Sequence, residues 1–131
     1  MGLKYLWDTN AVIYYLQKNF TDNDQERMNN IINNHQPALS SISQIELLCW
    51  RSATENDTII LNNFISDCII FELETEVKFK TIEIRKMYGV KLADAIIAAT
   101  AVVMDLTLIT NDSRGFKKIP TLKLFNPIEV Y

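Results

Sequence analysis

The sequence contains few of the residues that break, cross-link or coordinate a chain. Its 131 residues include 3 glycines, 3 prolines, 2 cysteines and 1 histidine. So little glycine and proline excludes a disordered or loop-dominated chain, and the glycine-rich turns of dinucleotide and P-loop folds are missing. The single histidine, His35, lies in the polar run NNHQP. We therefore expect a solvated loop there and no zinc site built on several histidines.

Membrane and secretory features are also missing. No apolar run approaches the about 18 residues that a membrane span needs. The short apolar stretch near the N-terminus is interrupted by Asp8, so it does not read as a signal peptide. Cys49 and Cys68 each lie in an apolar segment without a CxxC pattern. They are expected to be buried free thiols, which favours a reducing, cytoplasmic location.

The net charge of −3 disfavours a nucleic-acid binder, because such proteins are usually basic. The positive charges are nevertheless grouped, and a site that binds metal cations needs negative charge in any case. Most charge groups are simply solvated faces. If a nucleic acid is bound, the residues expected to contact it are Lys91, Arg114, Lys117 and Lys118.

Apolar segments of alternating strand and helix character fill the chain, 48% of which is hydrophobic. This alternation predicts an α/β fold, a three-layer α/β/α sandwich with a central, mainly parallel sheet of about five short strands. No linker-like segment divides the chain, so a single domain over 1–131 is expected. The predicted strands are 3–7, 38–41, 68–73, 107–110 and the segment TLKLFNP, and the predicted helices are 10–17, 24–34, 43–53, 55–65, 74–89 and 92–104.

Two of these helices carry finer expectations. In the first, Thr9 or Asn10 is expected as the N-cap. Tyr14 and Tyr15 on that helix fit either the core or a partner surface. The helix over 74–89 should end at Gly89, with an apolar stripe of Val77, Ile84 and Met87.

Four acidic residues lie where a parallel sheet places its ligand site, at the carboxyl ends of strands or the first turn of the following helix. They are Asp8, Glu46, Asp94 and Asp112. Each has a simpler explanation alone. Ser43-x-x-Glu46 matches a capping box, Asp94 suits a helix N-terminus, and Asp8 and Asp112 suit turns.

The coincidence of all four acids favours a metal site. Clustered carboxylates repel each other unless a cation neutralises them. A set of oxygen ligands suits Mg²⁺ or Mn²⁺. Two such ions can hold an attacking water and the leaving oxygen of one phosphodiester.

Four motifs in this order, LWDTNAVIYYL, SSISQIELL, KLADAIIAATA and LITNDSRGF, make the sequence resemble PIN-domain ribonucleases of the VapC type over nearly its whole length. The resemblance implies acidic site residues at Asp8, Glu46 and Asp94, with Asp112 as the fourth acid. It also implies supporting polar residues at Thr9, Asn10 and Thr110. Many members have an Asp directly before the Phe of the last motif, where this sequence has Gly115.

The resemblance implies a Mg²⁺- or Mn²⁺-dependent endoribonuclease acting on structured RNA such as tRNA. It also implies a homodimer that a small antitoxin protein inhibits. Haloacid dehalogenases need a second Asp two residues after the first, where Asn10 stands, and response regulators need an acidic pair at the first strand. The remaining alternative is a non-catalytic RNA- or protein-binding domain of the same fold.

Overall fold

A computed structural model describes residues 2–128, and its elements alternate between strand and helix as the sequence predicts. Five strands and six helices follow each other within these residues. The strands are β1 (Tyr5–Trp7), β2 (Ala38–Ser40), β3 (Ile69–Phe71), β4 (Thr107–Ile109) and β5 (Leu124–Phe125). The helices are α1 (Thr9–Leu16), α2 (Asp22–Asn34), α3 (Ser41–Leu48), α4 (Glu55–Ser66), α5 (Thr75–Tyr88) and α6 (Leu92–Val103), and a 3-10 turn spans Phe116–Lys118.

The strands form one sheet in the order β3-β2-β1-β4-β5, and every pairing is parallel. The chain therefore builds outward from β1 to β3 and then returns to the other side of β1 with β4. In such sheets the point where the strand order reverses is where ligands bind, just beyond the carboxyl ends of the strands. Here that point lies between β1 and β4.

Side chains alternate between the two faces of the sheet, which creates two apolar cores. In β1, Leu6 faces the core that contains α5 and α6, while Trp7 faces the core that contains α1, α2 and α4. In β4, Leu108 and Ile109 divide in the same way. The expected three-layer α/β/α sandwich is thereby confirmed.

Helix α5 packs on α6, which is rich in small buried residues. Gly89 ends α5 in the left-handed conformation (φ 66°), as predicted. Met87 was expected on the buried stripe of α5 but is 64% exposed. At helical spacing, Thr81 and Ile84 continue the face that begins at Val77, and Met87 lies off this face.

The two tyrosines of α1 pack against the core. The Tyr14 ring lies 4.8 Å from that of Phe20, and the Tyr15 ring lies 5.5 Å from that of Trp7, edge-on. The Tyr15 hydroxyl also donates to Asn29 Oδ1 at 2.6 Å. The core interpretation of these tyrosines therefore describes them better than the partner-surface interpretation.

Three expectations about individual side chains are wrong. Cys49 is exposed, because α3 ends earlier than predicted and Cys49 is its C-cap. Cys68 is only partly buried, with Sγ against the Phe64 carbonyl at 3.3 Å. His35 is not a solvated loop residue, since it caps α2 and lies edge-on to the Tyr5 ring at 5.5 Å. No helix within residues 2–128 is long and apolar enough to cross a membrane.

Candidate active site

Asp8 lies between β1 and α1. Its backbone continues the extended strand (φ −72°, ψ 152°), and its N–H donates to the Ile109 carbonyl of β4 at 2.8 Å. Its Oδ1 accepts a hydrogen bond from the Thr9 N–H at 2.9 Å. The N-cap of α1 is therefore Asp8, and the expectation of Thr9 or Asn10 is wrong, because the residue that leaves the strand also starts the helix.

Thr110, which follows β4, holds the other oxygen of the Asp8 carboxylate. The Thr110 hydroxyl donates to Asp8 Oδ2 at 2.8 Å, and the residue is fully buried. The same hydroxyl oxygen accepts the Asp112 N–H at 3.2 Å. The orientation of Asp8 is thus set from two neighbouring strands, at the point where the strand order reverses.

Burial is the main reason why the pKa of Asp8 is raised from 3.8 to about 6. Repulsion from Asp94 and Glu46 raises this pKa further, whereas the hydrogen bonds from Thr110 and the Thr9 N–H lower it. The folded chain therefore holds Asp8 in a place that disfavours its charge. A cation beside this carboxylate would relieve that cost.

Glu46 extends from α3 towards α1. Its Oε1 accepts a hydrogen bond from the Thr9 hydroxyl at 2.6 Å. Because the Thr9 backbone N–H binds Asp8, this one residue joins the two acids. Glu46 itself is exposed, at the solvent side of the pair.

The capping-box interpretation of Ser43 and Glu46 is wrong. The N-cap of α3 is Ser40, whose hydroxyl oxygen accepts the Ile42 N–H at 3.2 Å. Ser43 lies inside the helix and is fully buried, and its Oγ has no hydrogen-bond partner within the described chain. The helix starts three residues earlier than the motif suggested, which leaves the Glu46 carboxylate for Thr9.

Asp94 is the third residue of α6 and is partly buried. The N-cap of α6 is Lys91, and no side-chain hydrogen bond caps this helix. Burial raises the pKa of Asp94, as do the charges of Glu46 and Asp112, while Lys91 lowers it. Asp94 therefore shares an electrostatic environment with the other three acids.

Asp112 is placed differently from the other acids because Arg114 pairs with it. Arg114 Nε lies 3.0 Å from Asp112 Oδ1, and Arg114 Nη2 lies 3.1 Å from Oδ2. These hydrogen bonds lower the pKa of Asp112. The carboxylate is half-exposed, with Asp94 near enough to feel its charge.

A cavity of about 410 Å³ lies beside these acids, with basic residues in its wall. Asp94 and Asp112 line it together with Lys91, Arg114 and Lys118. Lys117 is exposed on the adjoining 3-10 turn but is not one of the residues that line this cavity. Three of the four basic residues singled out from the sequence are thus brought to the acids.

Asn126, which sequence reasoning missed, supports the loop that follows β4. It is buried, and its Nδ2 donates to the Asn111 carbonyl at 3.1 Å and lies 3.5 Å from Ser113 Oγ. Asn111 Nδ2 in turn lies 3.4 Å from the Asn10 carbonyl. Asn126 directly follows β5, so the rule that sites lie beyond strand ends would have identified it.

The acids offer only oxygen donors, which suits a hard divalent cation. Within residues 2–128, no three His, Cys, Asp or Glu side chains converge closely enough to enclose a metal by themselves. Mg²⁺ ordinarily keeps several waters and takes only one or two carboxylates. These oxygen donors are compatible with an ion held partly through water, and Asp8 and Asp94 are residues that could hold it.

The chain is thus a parallel α/β sandwich with Asp8 and Asp112 just beyond the carboxyl ends of β1 and β4, and with Glu46 and Asp94 in the first turns or body of the helices beside them. The profile of the family described as PIN domain matches residues 5–122, and the chain therefore belongs to the PIN-domain family.

Within that family the chain is similar to VapC proteins. It is 30% identical over 130 residues to the tRNA(fMet)-specific endonuclease VapC of Salmonella typhimurium, covering 93% of this chain and 96% of that protein. A solved structure of VapBC2 from Rickettsia felis, bound to a DNA fragment from the promoter, superimposes with a TM-score of 0.80 at 28% identity, covering 96% of this chain and 98% of that one. A toxin-antitoxin complex from Klebsiella pneumoniae gives a TM-score of 0.76 at 25% identity, covering 97% of this chain and all of that one.

Proposed function

We propose that this chain is a metal-dependent endoribonuclease that hydrolyses phosphodiester bonds in structured RNA, with tRNA and rRNA as the first candidates. The observation that carries the proposal is the clustering of Asp8, Glu46 and Asp94 beside a cavity with basic walls. Burial is the main cause of the raised pKa of Asp8 and of Asp94, and the charge of Glu46 raises both further. The similar Salmonella protein is named as a tRNA endonuclease, which supports the choice of substrate.

In this proposal Asp8 and Asp94 hold Mg²⁺ or Mn²⁺. When bound, the ion supplies an activated water and stabilises the leaving oxygen. Thr110 and the Thr9 N–H keep the Asp8 oxygens in fixed directions. Glu46, held by the Thr9 hydroxyl, would take a proton from the attacking water. Asp112 is the fourth acid, and Asn10 contributes its carbonyl to the support of the Asn111 loop.

Basic residues beside the acids would hold the RNA backbone. Lys91, Arg114 and Lys118 line a cavity together with Asp94 and Asp112, so a phosphate bound by these basic residues would lie beside two of the acids. Lys117 extends the same basic surface along the 3-10 turn. A local positive surface of this kind binds phosphates without reading bases, even though the whole chain is acidic.

We further propose that the chain acts as the toxin of a toxin–antitoxin pair and forms a homodimer. Two helices display apolar side chains at i, i+3 spacing on their outer faces. On α3, Ile45 and Leu48 are 57% and 54% exposed, and on α5, Phe79 and Ile82 are 68% and 52% exposed. Exposed apolar groups of this size are typical of partner surfaces. Light scattering of the purified chain, alone and with a co-expressed antitoxin, tests both associations.

The decisive test is cleavage of purified tRNA and rRNA with Mg²⁺ or Mn²⁺ and with EDTA. Asp8→Ala protein, purified in parallel, controls for contaminating nucleases. We expect metal-dependent cleavage by the parent and none by Asp8→Ala. Equal cleavage by both proteins would mean contamination. RNA binding without cleavage under every metal condition would establish the alternative, a non-catalytic binding domain of the same fold.

A further inference from the structure

The pair between Arg114 and Asp112 occupies both oxygens of the one acid that the resemblance leaves as the fourth site residue. The guanidinium contacts Oδ1 at 3.0 Å and Oδ2 at 3.1 Å, and the Arg114 N–H lies 3.4 Å from Oδ1. The Arg114 side chain is 89% exposed and that of Asp112 is 50% exposed. In the free chain, therefore, Asp112 is neutralised by the chain's own cation.

The pair lies in the wall between two cavities. Asp112 and Arg114 line the cavity that contains Asp94, and they also line a second cavity of about 540 Å³ that contains Tyr14 and Asn126. An RNA strand lying in either cavity would therefore contact this pair. Arg114 is therefore placed to meet the strand before Asp112 does.

The Arg114 side chain has room to turn away from Asp112, because it is 89% exposed to solvent.

We infer that Arg114 is a positioning residue that exchanges partners, an inference that rests on the proposed RNA cleavage. It pairs with Asp112 in the free chain and with an RNA phosphate in the complex, which releases the Asp112 carboxylate towards the cavity that contains Asp94.

Three physical facts favour the exchange. The planar guanidinium fork fits a carboxylate and a phosphate equally well. An exposed ion pair contributes little, so it breaks readily when a better partner arrives. Asp112 also lies near enough to Asp94 to raise its pKa, so a released Asp112 adds negative charge where a divalent ion would be held. RNA binding and ion binding at Asp112 must then favour each other.

The first test measures binding of a fluorescein-labelled RNA hairpin by anisotropy in EDTA, where no cleavage occurs. Asp112→Asn frees Arg114 and should tighten binding about two- to fivefold, the range that an exposed ion pair is worth. Arg114→Ala should weaken binding, and the double variant should bind as weakly as Arg114→Ala. If Asp112→Asn tightens binding by the same factor in both backgrounds, Asp112 acts only by repelling RNA and the exchange is excluded.

The pair between Lys123 and Asp105 provides a matched control. Lys123 Nζ lies 2.8 Å from Asp105 Oδ1, and both side chains are exposed. Asp105 precedes β4, whereas Asp112 follows it, so this pair lies at the opposite ends of the parallel strands from the acids. Asp105→Asn makes the same change in net charge and should alter hairpin binding less than about twofold.

The second test measures Mn²⁺ binding by electron paramagnetic resonance without RNA, and so does not depend on cleavage. Arg114→Ala should bind Mn²⁺ more tightly than the parent, and Asp112→Asn in that background should remove the gain. If Arg114→Ala binds Mn²⁺ no more tightly than the parent, the exchange is overturned. If the parent binds neither the hairpin nor Mn²⁺, the proposed nuclease function itself fails, which is a different result.

Discussion

The Thr110 hydroxyl donates a hydrogen bond to Asp8 Oδ2 at 2.8 Å across 102 positions of sequence. The two residues meet because β1 and β4 are parallel neighbours, so their carboxyl ends lie side by side. The bond lowers the pKa of Asp8 against the stronger effect of burial, which raises it. A threonine with no titratable group therefore helps to keep this acid ionised near neutral pH.

Thr110→Val should impair cleavage and shift its acid limb to higher pH. Removing the hydroxyl leaves burial and repulsion unopposed at Asp8 Oδ2, so the pKa of Asp8 should rise further. A hydrogen bond to a charged group contributes roughly 1.5–3 kcal/mol, and one pKa unit corresponds to about 1.4 kcal/mol, so a shift of about one to two units is expected. The pH profile of cleavage measures it. An unchanged profile in a folded variant would show that Asp8 does not set the acid limb.

Asp8→Asn should stabilise the metal-free chain at pH 7.5. In the folded chain the pKa of Asp8 is about 6, which lies above its ordinary 3.8. Protonated Asp8 therefore favours the folded chain fully below about pH 4, and this contribution to the free energy of unfolding is lost as the pH rises through 6. Asparagine removes the charge, and the gain at pH 7.5 is on the order of 3 kcal/mol. It should shrink towards pH 4.

Urea unfolding in EDTA at pH 4, 6 and 7.5 measures this effect. Asp105→Asn is the control of opposite sign, because the hydrogen bond from Lys123 lowers the pKa of Asp105. Its variant should be no more stable than the parent at pH 7.5. If the difference between parent and Asp8→Asn stays constant from pH 4 to 7.5, Asp8 is not the strained acid described here.

The sheet and the positions of the acids could be predicted from the sequence because both depend on simple periodic patterns. Short apolar runs separated by helical segments indicate parallel strands, and the ends of those strands locate Asp8 and Asp112. Helix starts were less predictable. Asp8 directly follows β1, Ser40 is the last residue of β2, and each also caps the next helix. Sequence patterns for helix caps point to a later residue in both places.

Contacts between distant residues could not be predicted from local patterns. The bond from Thr9 to Glu46 depends on how α1 lies against α3, which follows from packing of the whole core. The pair between Arg114 and Asp112 depends on one side-chain conformation in a loop. Met87 is a further example. Its approximate helical spacing from Val77 and Ile84 predicted a buried side chain, but the side chain is exposed.

Glu46→Gln should abolish most cleavage while leaving the free energy of unfolding nearly unchanged. Glu46 is exposed and its helix is capped by Ser40, so the carboxylate is not needed for folding. Ser40→Ala is the complementary variant. It should cost about 1 kcal/mol of stability, as N-cap losses do, and keep activity at temperatures where the chain is folded. Urea unfolding and cleavage rates of both variants measure the contrast, and a destabilised but active Glu46→Gln would restore a structural role for that residue.

Lys118→Ala should weaken RNA binding and reduce its dependence on salt, because Lys118 lines the cavity beside the acids. Losing one phosphate contact lowers the slope of log K against log salt by about 0.7–0.9. Lys117→Ala changes the same charge one residue away, outside the lining of that cavity, and should have a smaller effect. Anisotropy of a labelled RNA hairpin over a salt series measures both. Equal slopes for the two variants would place the RNA path along the whole 3-10 turn.

Millimolar Mg²⁺ or Mn²⁺ should raise the melting temperature of the parent, because a cation offsets the burial and the repulsion that raise the pKa of Asp8 and Asp94. A ligand that binds only the folded chain stabilises it by about 2.7 kcal/mol at roughly 100 times its Kd. The rise should be much smaller in Asp8→Asn and Asp94→Asn. In Asp112→Asn it should be only slightly smaller than in the parent, because Arg114 already occupies that carboxylate in the absence of RNA. Differential scanning fluorimetry with and without metal measures all four proteins. Identical melting of all four under both conditions would mean that these carboxylates serve only as caps and turn residues, and the nuclease proposal would be abandoned.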